Sequence, residues 1–244
     1  MKKIYTLAAL AAMTILGASC NSEWEEEQYE HYISFSSQLD SKGVTNIYVP
    51  YSRHDAEGNY AEGGEGRSNY QLPILVSGST DNPNNVTVRI AHDADTLNIL
   101  NYARYATRTE LYYEDMGAEG LTYASYPESL LIKAGENKGL LDLKFDFRNI
   151  DMSEKWVLPL QIVDDASHNY VAHPRKDYAK AILRIFPFND YSGDYSGTGI
   201  TNKVVTGYDG GGKPIETAES ITKSSIRGYV IDDQTIFTYA GIVD

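Results

Sequence analysis

The sequence predicts an all-β protein, a β-sandwich followed by a second, incomplete β domain. Three observations carry this. Across 244 residues, Gly, Pro, Asn, Asp and Ser interrupt short β-branched runs about every ten residues, which suits strands and leaves little room for helix. The runs alternate apolar and polar residues with the two-residue period of a half-buried strand, most cleanly in Leu140-Leu-Asp-Leu-Lys-Phe-Asp-Phe147. Finally, an aromatic-x-Leu-Pro-apolar pattern occurs twice, in Tyr70-Gln-Leu-Pro-Ile-Leu-Val76 and in Trp156-Val-Leu-Pro-Leu-Gln-Ile162. A proline cannot donate to a ladder, so both strands are expected at sheet edges or beside bulges, with the proline nitrogen turned away from its neighbour. Two matched edge strands indicate two sheets.

The chain opens on Met1-Lys-Lys, followed by an apolar stretch of 13 residues, Ile4 to Leu16, and the small residues Gly17-Ala-Ser-Cys20. A membrane span needs about 20 apolar residues. Residues 1–19 therefore read as an export signal outside the fold. Cys20 is the only cysteine, which excludes an internal disulfide. Leu16-Gly-Ala-Ser-Cys20 resembles a bacterial lipobox, although Leu16 stands four residues before the cysteine and Gly17 occupies the usual leucine place. The resemblance implies lipidation at Cys20, whose acyl chains would anchor the protein in the outer membrane, with ordinary secretory cleavage near Ala18 as the alternative. Residues 20–29 form a tether, and its acidic run Asn21-Ser-Glu-Trp-Glu-Glu-Glu27 resembles the surface-export signal of Bacteroidota lipoproteins. That implies the outer face of the outer membrane, with periplasmic retention as the alternative.

Residues 30–187 form the first globular region. Tyr32-Ile-Ser-Phe-Ser36 and Val44-Thr-Asn-Ile-Tyr-Val-Pro-Tyr51 alternate as strands. Asp55 to Gly66 is a Gly- and Glu-rich solvated loop, whose carboxylates lack the spacing of a calcium loop. Val86-Thr-Val-Arg-Ile90 is the next strand, and Asp93 or Asp95 caps a short crossover helix through Leu97, Leu100 and Tyr102. Leu130-Leu-Ile132 leads into the turn Ala134-Gly-Glu-Asn137, from which the alternating Leu140–Phe147 segment returns. Lys155–Val163 and Tyr178–Phe186 complete the region, and at Pro187 the composition shifts.

The order of these pieces resembles a known family. Val86-Thr-Val-Arg-Ile90, Asn101-Tyr102, Tyr126-Pro127, Leu131-Ile-Lys-Ala-Gly-Glu136 and Trp156-Val-Leu-Pro-Leu-Gln-Ile162 resemble the immunoglobulin-like N-terminal module of Bacteroidota surface lipoproteins, a module catalogued as a domain of unknown function. The resemblance covers about residues 30–187 and implies an immunoglobulin-like β-sandwich. It also implies the setting of a polysaccharide-utilisation locus, where the module occurs in glycan-binding lipoproteins and ahead of some family-18 glycosidases. Its strongest elements are structural, so fold and setting transfer better than a binding site.

Residues 188–244 start a C-terminal β domain. Phe188-Asn-Asp-Tyr-Ser-Gly-Asp-Tyr-Ser-Gly197 is turn-rich, and Ser225–Ile231 and Thr235–Val243 make a hairpin across Asp232-Asp233-Gln234. So few strands are marginal alone, and only Asp244 follows the last one, so truncation is expected.

The formal charge is −13, and removal of a leader carrying Lys2, Lys3 and no acid makes it −15. Nucleic acid is thereby excluded as a partner, because phosphates are bound by clustered Lys and Arg. A polyanionic glycan is disfavoured on the same ground. His31, His54, His92, His168 and His173 have no metal-ligand spacing, so neither metal nor cofactor is expected. No nucleophile elbow, P-loop or dinucleotide fingerprint occurs. Asp142, Asp146, Asp151 and Glu154 stand at the wrong intervals for a family-18 glycosidase, and no catalytic site is expected.

Tyrosine is the compositional outlier, 20 residues against 6 Phe and 2 Trp. Six of them, Tyr102, Tyr105, Tyr112, Tyr113, Tyr123 and Tyr126, fall within 25 residues and form the candidate ligand platform, since sugar C–H faces stack on aromatic planes. Trp156 reads as structural. The leading function is a noncatalytic surface lipoprotein that binds a glycan beside an outer-membrane importer complex. The alternative is a structural or adhesive lipoprotein, such as a fimbrial anchor, that accepts another chain's strand. The third is an accessory module of a glycoside hydrolase.

Overall fold

The computed structural model describes residues 31–37, 40–51, 66–78, 80–164, 167–196, 200–221 and 225–239. The export signal, Cys20, the acidic tether and nearly all of the Gly- and Glu-rich loop lie outside the described residues. The fold is all-β with one substantial helix. One sheet has the order β10 (Val171–Ala172), β1 (Tyr32–Phe35), β3 (Arg67–Val76), β8 (Lys138–Asp146), β6 (Ala124–Ser125). The other has the order β2 (Thr45–Pro50), β11 (Lys180–Phe188), β9 (Trp156–Ile162), β4 (Val86–His92), β7 (Ser129–Ile132), with β5 (Glu114–Asp115) pairing in parallel with β9. Consecutive strands β1 and β2 belong to opposite sheets, and β2 joins β11 in parallel register from Thr45↔Leu183 to Pro50↔Phe188. That switch closes an immunoglobulin-like sandwich.

Strand periodicity places the core. On β8, Leu141, Leu143 and Phe145 point inward while Leu140, Asp142 and Lys144 face out. They meet Ile47, Val49, Val88, Ile90, Leu158, Leu160, Leu183 and Ile185 of the opposite sheet in one continuous apolar cluster. The Ala134–Asn137 turn crosses between the sheets, since β7 and β8 lie in different ones. Buried Asn82 holds it, its Nδ2 donating to the carbonyls of Lys133 and Glu136 at 3.2 and 3.4 Å.

The edge-strand expectation for the two prolines is overturned, because β3 and β9 are both interior strands. The Pro73 carbonyl accepts from Ser36 N at 2.9 Å just beyond the end of β1, so its nitrogen faces the place where that ladder stops. The Pro159 carbonyl accepts from Asp93 N at 3.1 Å, at the junction where β4 ends and β5 takes over beside β9. A missing N–H is tolerated inside a sheet where the neighbour changes, as well as at an edge.

Asp93 caps α1 (Ala94–Tyr105), accepting from Thr96 N at 3.1 Å. The helix lays Leu97, Leu100 and Tyr105 over the outer face of the second sheet, against Val44, Tyr113, Val157 and Ile182. Strand β9 is thus buried on both faces, which accounts for the near-continuous apolar run of its sequence.

Beyond β11 the chain forms a sheet of β12 (Gly193–Ser196), β15 (Ser225–Val230) and β16 (Ile236–Phe237). The predicted turn at Asp232-Asp233-Gln234 joins β15 to β16, with Tyr229↔Phe237 and Val230↔Ile236 paired. A separate two-stranded ribbon, β13 (Ile200–Tyr208) with β14 (Pro214–Ile221), was not anticipated.

Candidate functional site

Inward-pointing Ile47, Val49, Leu183 and Ile185 force their neighbours Asn46, Tyr48, Arg184 and Phe186 onto the outer face of β2 and β11. Parallel register sets Tyr48 across from Phe186, and the rings stack at 5.4 Å with planes 20° apart. Helix α1 covers one end of this face and leaves these residues outside its small core. Opposite them stand Arg227 and Tyr229 of β15, Phe237 of β16 and Tyr239, and the space between the two walls is a cleft of about 600 Å³. The rings of Tyr229, Phe237 and Tyr239 lie 5.4 Å from one another.

Hydrogen bonds hold the walls together. Tyr239 Oη donates to the Ser153 carbonyl at 2.9 Å, and Asn189 Nδ2 donates to the Asp232 carbonyl at 2.7 Å. Trp156 also lines the cleft. Its Nε1 donates to the Asp151 carbonyl at 2.7 Å, and its ring meets Tyr123 edge-on at 5.4 Å. The cleft includes the polar side chains of Asn46, Ser153 and Glu154 beside the aromatic ones. Burial pushes the Tyr239 phenol above its ordinary value, and the adjacent Tyr229 adds to the shift, so the Tyr239 phenol is a neutral donor at physiological pH.

The six tyrosines do not form one platform. Tyr113 is 3% exposed and packs in the small core under α1. Burial, reinforced by the Tyr105 phenol, pushes its pKa up to about 12. Tyr105 packs against that core, Tyr123 and Tyr126 against the main one, and Tyr102 stands alone on the helix, 68% exposed. Tyr112 is the one member that reaches the cleft. It is held by its Oη donating to the Ala106 carbonyl at 2.5 Å, and its neighbour Tyr113 by buried Asn101, which pairs with that residue's N–H and carbonyl at 2.9 and 3.0 Å. The cleft residues Tyr48, Phe186, Tyr229, Phe237 and Tyr239 are not among those the sequence singled out, and Trp156, read there as structural, packs against the main core while also lining the cleft. Alternation had already placed Tyr48 and Phe186 on outward faces, but the parallel pairing that brings them together is a long-range fact. Among the described residues no group of three or more His, Cys, Asp or Glu could hold a metal.

Similar structures come from Bacteroides. A crystal structure of an auxiliary nutrient binding protein from Bacteroides thetaiotaomicron is 94% identical, covering 88% of this chain and 66% of that one, with a TM-score of 0.71. A structure of unknown function from Bacteroides ovatus is 40% identical over 87% of this chain and 63% of its own, with a TM-score of 0.66. Another protein of unknown function from Bacteroides ovatus is 31% identical over 89% of this chain and 62% of its own, with a TM-score of 0.64. The chain thus spans slightly less than two thirds of the length of these structures. No curated protein matches it significantly. A model described as a C-terminal domain matches residues 179–244, and the model of a domain of unknown function, DUF4973, matches residues 24–166. Since that second match spans more than half of the 244 residues, the chain belongs to the DUF4973 family.

Proposed function

We propose that the protein is a noncatalytic, nutrient-binding surface lipoprotein that holds an oligosaccharide in the cleft between the sandwich and the β15–β16 wall, beside an outer-membrane importer. The observation that carries this reading is the pairing of facing aromatic walls with interspersed polar groups in about 600 Å³, within the range of about 300–1,000 Å³ of small-ligand sites. Sugar C–H faces stack on Tyr48, Phe186 and Tyr229, while hydroxyls exchange hydrogen bonds with Asn46 and the phenols. The 94% identical Bacteroides thetaiotaomicron protein, named for nutrient binding, supports it.

An open cleft leaves many sugar hydroxyls wet, so affinity is expected between about micromolar and millimolar, or about 4–8 kcal/mol. The test is calorimetry with oligosaccharides selected on a glycan array. Tyr48→Ala and Phe186→Ala should each weaken binding by at least about tenfold, equivalent to about 1.4 kcal/mol, whereas Tyr102→Ala should not. Undiminished binding by both cleft variants would refute the site. For localisation, Cys20→Ala should release the protein from the membrane fraction. Replacing Glu23, Glu25, Glu26 and Glu27 with Ala should leave it lipidated but shielded from protease added to intact cells. Continued membrane attachment in the first case, or continued surface cleavage in the second, contradicts the respective part.

A further inference from the structure

We infer that the cleft selects a saccharide carrying an anionic group, a carboxylate or a sulfate ester, and that Arg184 and Arg227 are its specificity-determining residues. This rests on the cleft being the binding site. The two guanidiniums come from opposite walls and converge on one ring. Arg184 Cζ lies 4.6 Å and Arg227 Cζ 5.6 Å from the Phe186 centroid, and Arg227 also lies 5.3 Å from Tyr48.

Neither guanidinium has a hydrogen bond or carboxylate partner among the described residues, in a chain where acids outnumber bases 34 to 21. Elsewhere three arginines do pair with acids, Arg67 and Arg148 with Asp146 and Arg108 with Glu110. Of the acids in the cleft lining, Glu110 is therefore already engaged. Asp194 sits across the β12–β15 pair from Arg227, beyond ion-pair distance, and Glu154 is the third. An arginine held against an aromatic face keeps its N–H edge available, and that planar fork matches two oxygens of a carboxylate or sulfate.

The net charge of −13 and this preference are compatible because they act over different distances. Salt screens the distant surface charge within about 8–10 Å at ordinary ionic strength, whereas a fork in contact with its anion is screened much less. The cleft therefore suits sugars with isolated acidic groups, and the overall charge still disfavours dense polyanions.

The test measures the affinity of the full chain, at low and high salt, for a neutral galactan oligomer, the same oligomer carrying a single carboxylate, and the same oligomer carrying a single sulfate ester. The acidic oligomers should bind at least about tenfold tighter than the neutral one. That preference should persist at high salt, where the distant surface charge is screened, and be lost in Arg184→Gln and Arg227→Gln, each checked for an unchanged melting transition. Arg227→Lys keeps the charge without the fork and should retain only part of the preference. Arg104→Gln, outside the cleft, should behave as wild type. Comparison of the two acidic oligomers tells carboxylate from sulfate. Neutral binding as tight as acidic binding, still sensitive to Tyr48→Ala, overturns the anion inference and leaves the binding site standing. So does an acidic preference that survives both glutamine variants. Binding of any charge class that ignores Tyr48→Ala removes the site and the inference together.

Discussion

Replacing Asp93 with Ala tests how the helix is fastened to the sheet. The carboxylate is 5% exposed and accepts from Thr96 N at 3.1 Å, Thr96 Oγ1 at 2.6 Å and Lys180 Nζ at 2.6 Å. Loss of the helix cap alone costs about 1 kcal/mol. A fully buried pair broken on one side costs about 3–5 kcal/mol. The Lys180 side chain is 32% exposed and can return to water, so its share falls well below that range. The sum is about 2–3 kcal/mol at neutral pH. Burial alone would raise the carboxyl's pKa, but the hydrogen bonds from Lys180 and Thr96 together outweigh it and hold it below 3.8. A depressed folded pKa means the contribution is complete above the unfolded value and disappears as pH falls through the folded one. Urea unfolding of wild type and variant should therefore show the full gap at pH about 7 and a gap closing below pH about 4, with other carboxylates cancelling in the difference. A gap below about 0.5 kcal/mol at neutral pH, or one unchanged in acid, would refute the reasoning.

The buried Asn101 hydrogen bonds predict that Asn101→Ala, which strands the Tyr113 N–H and carbonyl, costs about 2–4 kcal/mol by denaturation and speeds hydrogen exchange at the Tyr113 amide. Tyr113 Oη is buried with the Tyr105 phenol beside it, so Tyr113→Phe should change stability by less than about 1 kcal/mol at neutral pH. Because the Tyr113 pKa is raised from 10.0 to about 12, its contribution is full below 10.0 and lost as pH rises to about 12, so the variant should resist alkaline unfolding better than wild type. Pro159→Ala puts an N–H into the buried β4–β5 junction and should cost about 1–3 kcal/mol, whereas half-buried Pro73 beside the end of β1 should tolerate Ala better, both read from urea midpoints.

Much of the sandwich was legible because its strands carry local signals. The two-residue period marks β2 and β8, and Asp93 ahead of the Leu97, Leu100 spacing marks α1. The β13–β14 ribbon escaped because Ile200 to Ile221 shows no sustained alternation. Its turn was available in Asp209-Gly-Gly-Gly212, where the Asp209 carboxylate accepts from Gly211 N and Lys213 N, both at 2.9 Å, and Gly212 adopts a φ of +79°. The proline error has a different source. Composition tells that a ladder bond is missing, while whether the gap falls at an edge or at a change of neighbour depends on where two distant strands end.

The candidate site was the least legible part for a related reason. Density of tyrosine along the chain selected residues 102–126, yet adjacency in sequence there serves packing, because helix α1 and the segment after it fold back on the sheet and bury Tyr113 between them. The cleft instead draws its rings from positions as far apart as Tyr48, Trp156, Phe186, Tyr229 and Tyr239. Each is unremarkable in its own strand. What unites them is that β2 changes sheets to lie beside β11, and that β11 continues directly into the second unit. The first event creates an outward aromatic pair. The second swings β15 and β16 across it, with Arg227 over both rings. A site made this way belongs to neither half alone, so a substitution that loosens the Tyr239–Ser153 or Asn189–Asp232 connection should weaken binding without touching any ring of the sandwich wall.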